Sequence, residues 1–182
     1  MPSESPFSRR LALRRGAALL GLAALEGLRA SPVRASGLRV GQEAPPATLV
    51  TLDGRRISTP ELRGKVVILT FWATWCGPCR QELPLLSAFA EQHADDGLVV
   101  LGFSIDAAED LAKVRLQAEG LSFPVGLLPE ARLPGYGRIW RIPANFTIDR
   151  AGLLRDNGWD DREAIFTAAR LQEIVVPLLR AP

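Results

Sequence analysis

The sequence predicts an α/β domain built on a mixed central sheet flanked by helices. Three observations carry this. Val66 to Trp72 and Leu98 to Ile105 are almost unbroken apolar runs, as expected of strands covered on both faces. A helical stretch from Arg80 to about His93 lies between them. Two further strand-like runs, Ala144 to Ile148 and Leu153 to Asn157, precede a last helix. Strand, helix, strand, then two strands and a helix is the order of an α/β sheet with antiparallel members. At 182 residues, 47% hydrophobic and 23% charged, the chain is long enough for one domain with a full core.

Taken in order, residues 1–35 read as an export signal. Ser8-Arg9-Arg10-Leu11-Ala12-Leu13-Arg14-Arg15 is a basic start, Gly16 to Leu25 is apolar, and Val33-Arg34-Ala35 places small residues two apart, predicting cleavage after Ala35. Residues 36–46 are an extended lead-in. Thr48 to Leu52 and Arg55 to Ile57 around Asp53-Gly54 predict a β-hairpin. Ala107 to Glu119 is a second helix, with Leu111, Val114 and Ala118 on one face and Gly120 as its stop. Phe123 to Leu128 is a short strand, and residues 129–141 a short irregular helix. The last helix is expected to begin at Asp160 or Asp161, with Asp160 and Glu163 as a capping box, and Pro177 to end or kink it.

Charge excludes one class. Of 22 basic and 20 acidic residues, six arginines and two acids fall in the first 35, leaving 16 against 18. A domain with net charge −2 gives no electrostatic case for nucleic acid. No segment reaches the roughly 20 apolar residues of a membrane span, although an uncleaved signal would leave a short N-terminal anchor.

Both cysteines lie in Trp75-Cys76-Gly77-Pro78-Cys79, between a core strand and a helix start. There, Cys76 would face unpaired backbone N–H groups and the positive end of the helix dipole, both of which favour thiolate. Cys79 would follow one turn on, and Pro78 is tolerated in a first turn, where no donor is missed. This points to thiol–disulfide exchange with Cys76 as attacking nucleophile and Cys79 as resolving thiol. Three other readings stand beside it. A structural disulfide would close a very small loop and restrain little of the unfolded chain. A zinc site needs two more ligands, and the chain offers only His93. A copper carrier could use both thiolates, but its usual supporting Met or His is lacking, since the single Met is Met1.

The block Phe71-Trp72-Ala73-Thr74-Trp75-Cys76-Gly77-Pro78-Cys79-Arg80-Gln81-Glu82-Leu83-Pro84 resembles the thioredoxin superfamily, and most of all its exported TlpA/ResA-type thiol–disulfide oxidoreductases. The resemblance covers about residues 38–180. It implies a thioredoxin-like domain over residues 36–182, with an N-terminal β-hairpin and a helix–strand insertion near residues 106–128. Peroxiredoxins share much of that layout but carry their reactive cysteine in a different motif. Ser-Arg-Arg-x-x-Leu at residues 8–13 likewise resembles a twin-arginine export signal, with Ala12 where Phe is usual.

The second motif is Arg141-Ile142-Pro143-Ala144-Asn145-Phe146. By resemblance, the Ile142–Pro143 bond is cis, packs against the cysteines, keeps metal away and leaves the Ile142 backbone to pair with substrate. Trp75 would cover Cys76. Two departures stand out. Thr70 occupies the place of thioredoxin's proton-moving Asp, and Asn145 replaces the usual Thr. Some ResA-type proteins use a Glu after the second core strand. Asp106 is the nearest acid here, as an aid to Cys79 deprotonation or, alternatively, as a cap of the helix that follows.

The resemblance implies a periplasmic reductant of protein disulfides in cytochrome c or copper-site assembly. It would act as a monomer, with no cofactor beyond the Cys76–Cys79 disulfide, no metal, protein thiols or disulfides as substrates and a membrane thiol electron donor. A dithiol oxidant and a copper-binding chaperone are the alternatives.

Overall fold

The structure is a computed structural model that describes residues 38–160 and 165–181. The export signal, the domain start at residue 36 and Glu163 lie outside the described residues. Among those described, seven strands and three helices follow one another: β1 (Thr48–Val50), β2 (Arg56–Ser58), β3 (Val66–Trp72), α1 (Gly77–Gln92), β4 (Leu98–Ser104), α2 (Leu111–Ala118), β5 (Val125–Leu127), β6 (Ala144–Ile148), β7 (Leu154–Asn157) and α3 (Ala168–Arg180).

The central sheet has the order β5-β4-β3-β6-β7. β3 and β4 pair in parallel, as do β4 and β5, whereas β6 is antiparallel to β3 and β7 to β6. All seven residues of β3 are buried, which is why its sequence lacks alternation. The pleat still divides them. Val66, Ile68 and Trp72 join the core half that contains α1, α3 and both cysteines, while Val67, Leu69 and Phe71 join the half with Tyr136, Phe146 and the hairpin residue Leu49. The hairpin docks closely: a side chain at Gly126 would collide with the Val50 carbonyl. Truncating Leu69, fully buried in this sheet, would cost about 2–5 kcal/mol.

The predicted strands and the Cys-bearing helix fall where expected. Helix 107–119 is a 3-10 turn, Ala108–Asp110, leading into α2, and Val114 is its buried anchor. The strand at 123–128 narrows to β5, beginning after Pro124, which has no N–H to give to a ladder.

Three expectations are corrected. Residues 129–141 form no helix beyond a 3-10 turn at Leu128–Glu130. Pro129 and Pro134 remove donors, Gly135 and Gly137 take φ of 94° and 74°, and Arg132 instead bridges to Thr48. The last helix begins at Ala168, not near Asp160. Asp160 closes a turn with Asn157, and Thr167 is the N-cap, its hydroxyl accepting from Arg170 N at 3.2 Å. Of the two outcomes expected at Pro177, an end to the helix is ruled out: Pro177 lies inside α3, which runs on to Arg180 with Ala181 N bonded to the Pro177 carbonyl.

Candidate active site

The site begins where β3 stops. Residues 73–76 turn back, with Cys76 N donating to the Ala73 carbonyl at 3.1 Å, and α1 starts at once. Cys76 is the N-cap of α1, and its Sγ accepts from Cys79 N at 3.2 Å. Gly77 and Pro78 form the first helical positions, where Pro78's lack of an N–H costs no helical bond, and Arg80 N makes the first helical bond back to Cys76 O. Cys76 and Cys79 are joined as a disulfide. Cys76 retains 6% exposure and Cys79 only 1%, so the first sulfur is the one a partner can reach. Once reduced, a Cys76 thiolate keeps an N–H donor and the dipole of a 16-residue helix.

Trp75 stands out of the surface at 67% exposure, whereas Trp72 is fully buried. Thr74 and Trp75 edge a cleft of about 560 Å³ whose far wall is α2, through Lys113, Leu116 and Gln117. The Ile142–Pro143 bond is cis. Ile142 packs against the buried cluster that contains both cysteines, and it precedes the first ladder pair of β6, Ala144 with Phe71. Two residues before it, Trp140 is 71% exposed and lies stacked on Trp159, with the Arg141 guanidinium over both rings. His93 ends α1 and pairs its Nδ1 with Asp96.

Asp106 is buried, but it caps no helix; the 3-10 turn after it has Ala107 at its N-cap without a side-chain bond. Its carboxylate accepts from Thr74 N at 2.9 Å, Thr74 Oγ1 at 2.7 Å and Ser104 Oγ at 2.7 Å. It therefore fixes the turn that carries Trp75 and Cys76. Among the described residues, its hydrogen bonds go to Thr74 and Ser104 and none to a cysteine.

The buried carboxyl on the cysteine helix is Glu82, which sequence reasoning passed over. It lies three residues after Cys79, hence on the same face of α1, and is 2% exposed. Oε1 accepts from Asn145 Nδ2 at 2.8 Å and Oε2 from Phe166 N at 3.0 Å. Burial pushes its pKa from 4.5 up to about 7, against the pull of Asn145, Phe166 N and Arg170. The signal in the sequence was a charged residue on the face of α1 that carries Cys79, Leu83 and Leu86, all buried.

A mixed sheet, a disulfide at a helix N-terminus and a cis-proline just ahead of the strand that pairs with β3 define a thioredoxin-like fold. The comparisons agree. The AhpC/TSA family matches residues 40–157, and the chain belongs to that family. The thioredoxin-like protein YneN of Bacillus subtilis is 36% identical over 123 residues, 66% of this chain and 71% of that one. Thiol-disulfide oxidoreductase ResA of Bacillus anthracis is 30% identical over 115 residues, 63% of this chain, and the match spans 66% of that relative's length. A solved thiol:disulfide interchange protein of the thioredoxin family from Chlorobium tepidum superimposes with a TM-score of 0.64 at 29% identity, covering 79% of this chain and 99% of the other.

Proposed function

We propose that this protein is an exported, periplasmic thiol–disulfide oxidoreductase that reduces disulfides of protein substrates. The observation that carries the reading is Cys76 at the N-cap of α1, where its sulfur accepts the Cys79 N–H and is the more exposed of the pair.

The reaction balances on this chain's own residues. The Cys76 thiolate attacks one sulfur of a substrate disulfide; a mixed disulfide forms and the other substrate sulfur leaves as thiolate. Glu82 then takes the proton of the Cys79 thiol. The Cys79 thiolate attacks Cys76 Sγ, the Cys76–Cys79 disulfide closes and the second substrate thiolate leaves. Two electrons pass from dithiol to substrate, and the proton on Glu82 goes on to a released thiolate. A carboxyl titrating near 7 is suited to both halves of that transfer at neutral pH.

The Ile142 backbone pairs with the substrate segment, and Trp75 and α2 flank it. Cys76→Ser abolishes exchange, and Cys79→Ala traps mixed disulfides. A membrane thiol donor re-reduces the protein, since an unsupported dithiol in an oxidising compartment stays a disulfide. The substrates we favour are proteins awaiting haem or copper at reduced cysteines, as the resemblance to ResA suggests. Redox equilibration tests the direction. A potential at or below about −270 mV is expected, and one near about −120 mV would make the protein an oxidant.

A further inference from the structure

Three parts of the fold meet at Glu82. α1 supplies the carboxyl, β6 supplies Asn145 two residues beyond the cis-proline, and the chain ahead of α3 supplies the Phe166 N–H. Asn145 is 1% exposed and pairs in register with Thr70 of β3. Its backbone is held from outside by Gly158, where any side chain would strike the Asn145 carbonyl and amide.

We propose that Asn145 is the positioning residue of the proton-transfer step: its side-chain amide holds Glu82 in place and keeps that carboxyl usable as a base. This rests on the reading of Glu82 as the acceptor of the Cys79 proton. The chemistry of the partner decides the matter. A Lys or Arg bonded directly to Glu82 would pull the carboxyl back to its ordinary range and leave it unable to hold a proton at neutral pH. An apolar neighbour would leave only the Phe166 N–H and the Arg170 charge to oppose desolvation and would push the carboxyl further up. A neutral amide donates to the charged form without neutralising it.

The other groups facing Glu82 do not duplicate that role. Cys79 lies on its own helix, and Thr70 lies beside Asn145 in the sheet. Arg170 on α3 is ion-paired to Asp156 of β7 at 2.8 Å. Phe166 contributes only a main-chain N–H, which no substitution tunes. Asn145 also sits on the strand that opens with the substrate-pairing loop, so a displacement of that loop bears directly on the base.

The test is a side-chain carboxyl NMR titration of the oxidised full chain, with the Glu82 signal assigned through Glu82→Gln, beside the pH profile of disulfide reduction. In Asn145→Ala, the Glu82 midpoint should rise by about one pH unit, a tenfold change in its proton affinity, and the rate profile should shift alkaline with it. Asn145→Thr, which retains a donor, should move both by less and covers the case in which the alanine variant fails to fold. If the Glu82 midpoint stays at its wild-type value in the folded variants while Glu82→Gln still flattens the profile, Asn145 is not the positioning residue and Glu82 remains the base. If Glu82→Gln leaves the profile unchanged, the base assignment itself fails and the proposal falls with it.

Discussion

Asp106 and Glu82 are each 2% exposed and each hydrogen-bonded, yet the fold puts them to different uses. Asp106 sits just after β4 and gathers three donors within 3 Å, two from Thr74 and one from Ser104. The Thr74 bonds tie the 73–76 turn to Asp106, and the Ser104 bond anchors that carboxylate to the end of β4. Glu82 sits within α1 among Leu83, Leu86 and Phe166, and receives two N–H donors that only partly offset its desolvation. A carboxylate wrapped in donors is a brace. One left under-solvated on the helix face of Cys79 suits the proton transfer proposed for it. Burial alone does not distinguish them; the number and source of the donors do.

Glu82→Gln gives the largest effect. It should slow resolution of the mixed disulfide at neutral pH by about 10²-fold or more, whereas Asp106→Asn leaves that step within a few fold. Rapid quenching with thiol trapping reads it, and equal slowing by the two variants would erase the distinction.

Stability against pH is next. Because the folded pKa of Glu82 lies above its ordinary value, the folded state holds a proton that the unfolded chain has lost between pH 4.5 and about 7. Stability relative to Glu82→Gln is therefore full below pH 4.5, falls as pH rises through that window, and is lower by roughly 3 kcal/mol above it. Urea midpoints of the two proteins at pH 4, 6 and 8 check this; parallel curves would show a carboxyl without the proposed shift.

Asp106→Ala orphans the Thr74 and Ser104 donors and should destabilise the domain by about 1–3 kcal/mol while the pH profile of exchange keeps its shape. A moved profile would return Asp106 to the proton path. The smallest effect belongs to the cleft. Leu116→Asp changes an exposed wall residue and should slow reduction of a protein disulfide by only about 3-fold to 10-fold, with a small aromatic disulfide reduced at the wild-type rate. Equal rates on the protein substrate would remove α2 from the docking surface.

Much of this architecture is legible from local pattern. β3 is a seven-residue apolar run with β-branched members, and α1 is bounded by a cysteine N-cap before Gly-Pro and by a positive-φ Gly97 shortly after its end. Such signals live within a few residues and survive any tertiary context. The failures share a cause as well. Asp160 with Glu163 matched a cap in spacing, but Asp160 is used by Asn157 to close the turn after β7, a partner fixed by the sheet. The 129–141 segment, read as a short irregular helix, contains two prolines and two positive-φ glycines, and Arg132 bridges instead to Thr48.

The sequence by itself determined the sheet's core strands and the placement of Cys76 and Cys79 at a helix start, because adjacent residues settle each of them; the Ile142–Pro143 motif was legible only through the family resemblance. It offered Asp106 as the acid because that residue follows a strand end, a property of chain order. Only the tertiary structure shows that Asp106 braces the 73–76 turn and that Glu82 lies buried on the helix of Cys79. The deciding quantity is how many donors reach each carboxylate, and those donors come from Thr74 and Ser104 in one case and from Asn145 and Phe166 in the other, residues up to 84 positions away that meet only when the sheet closes.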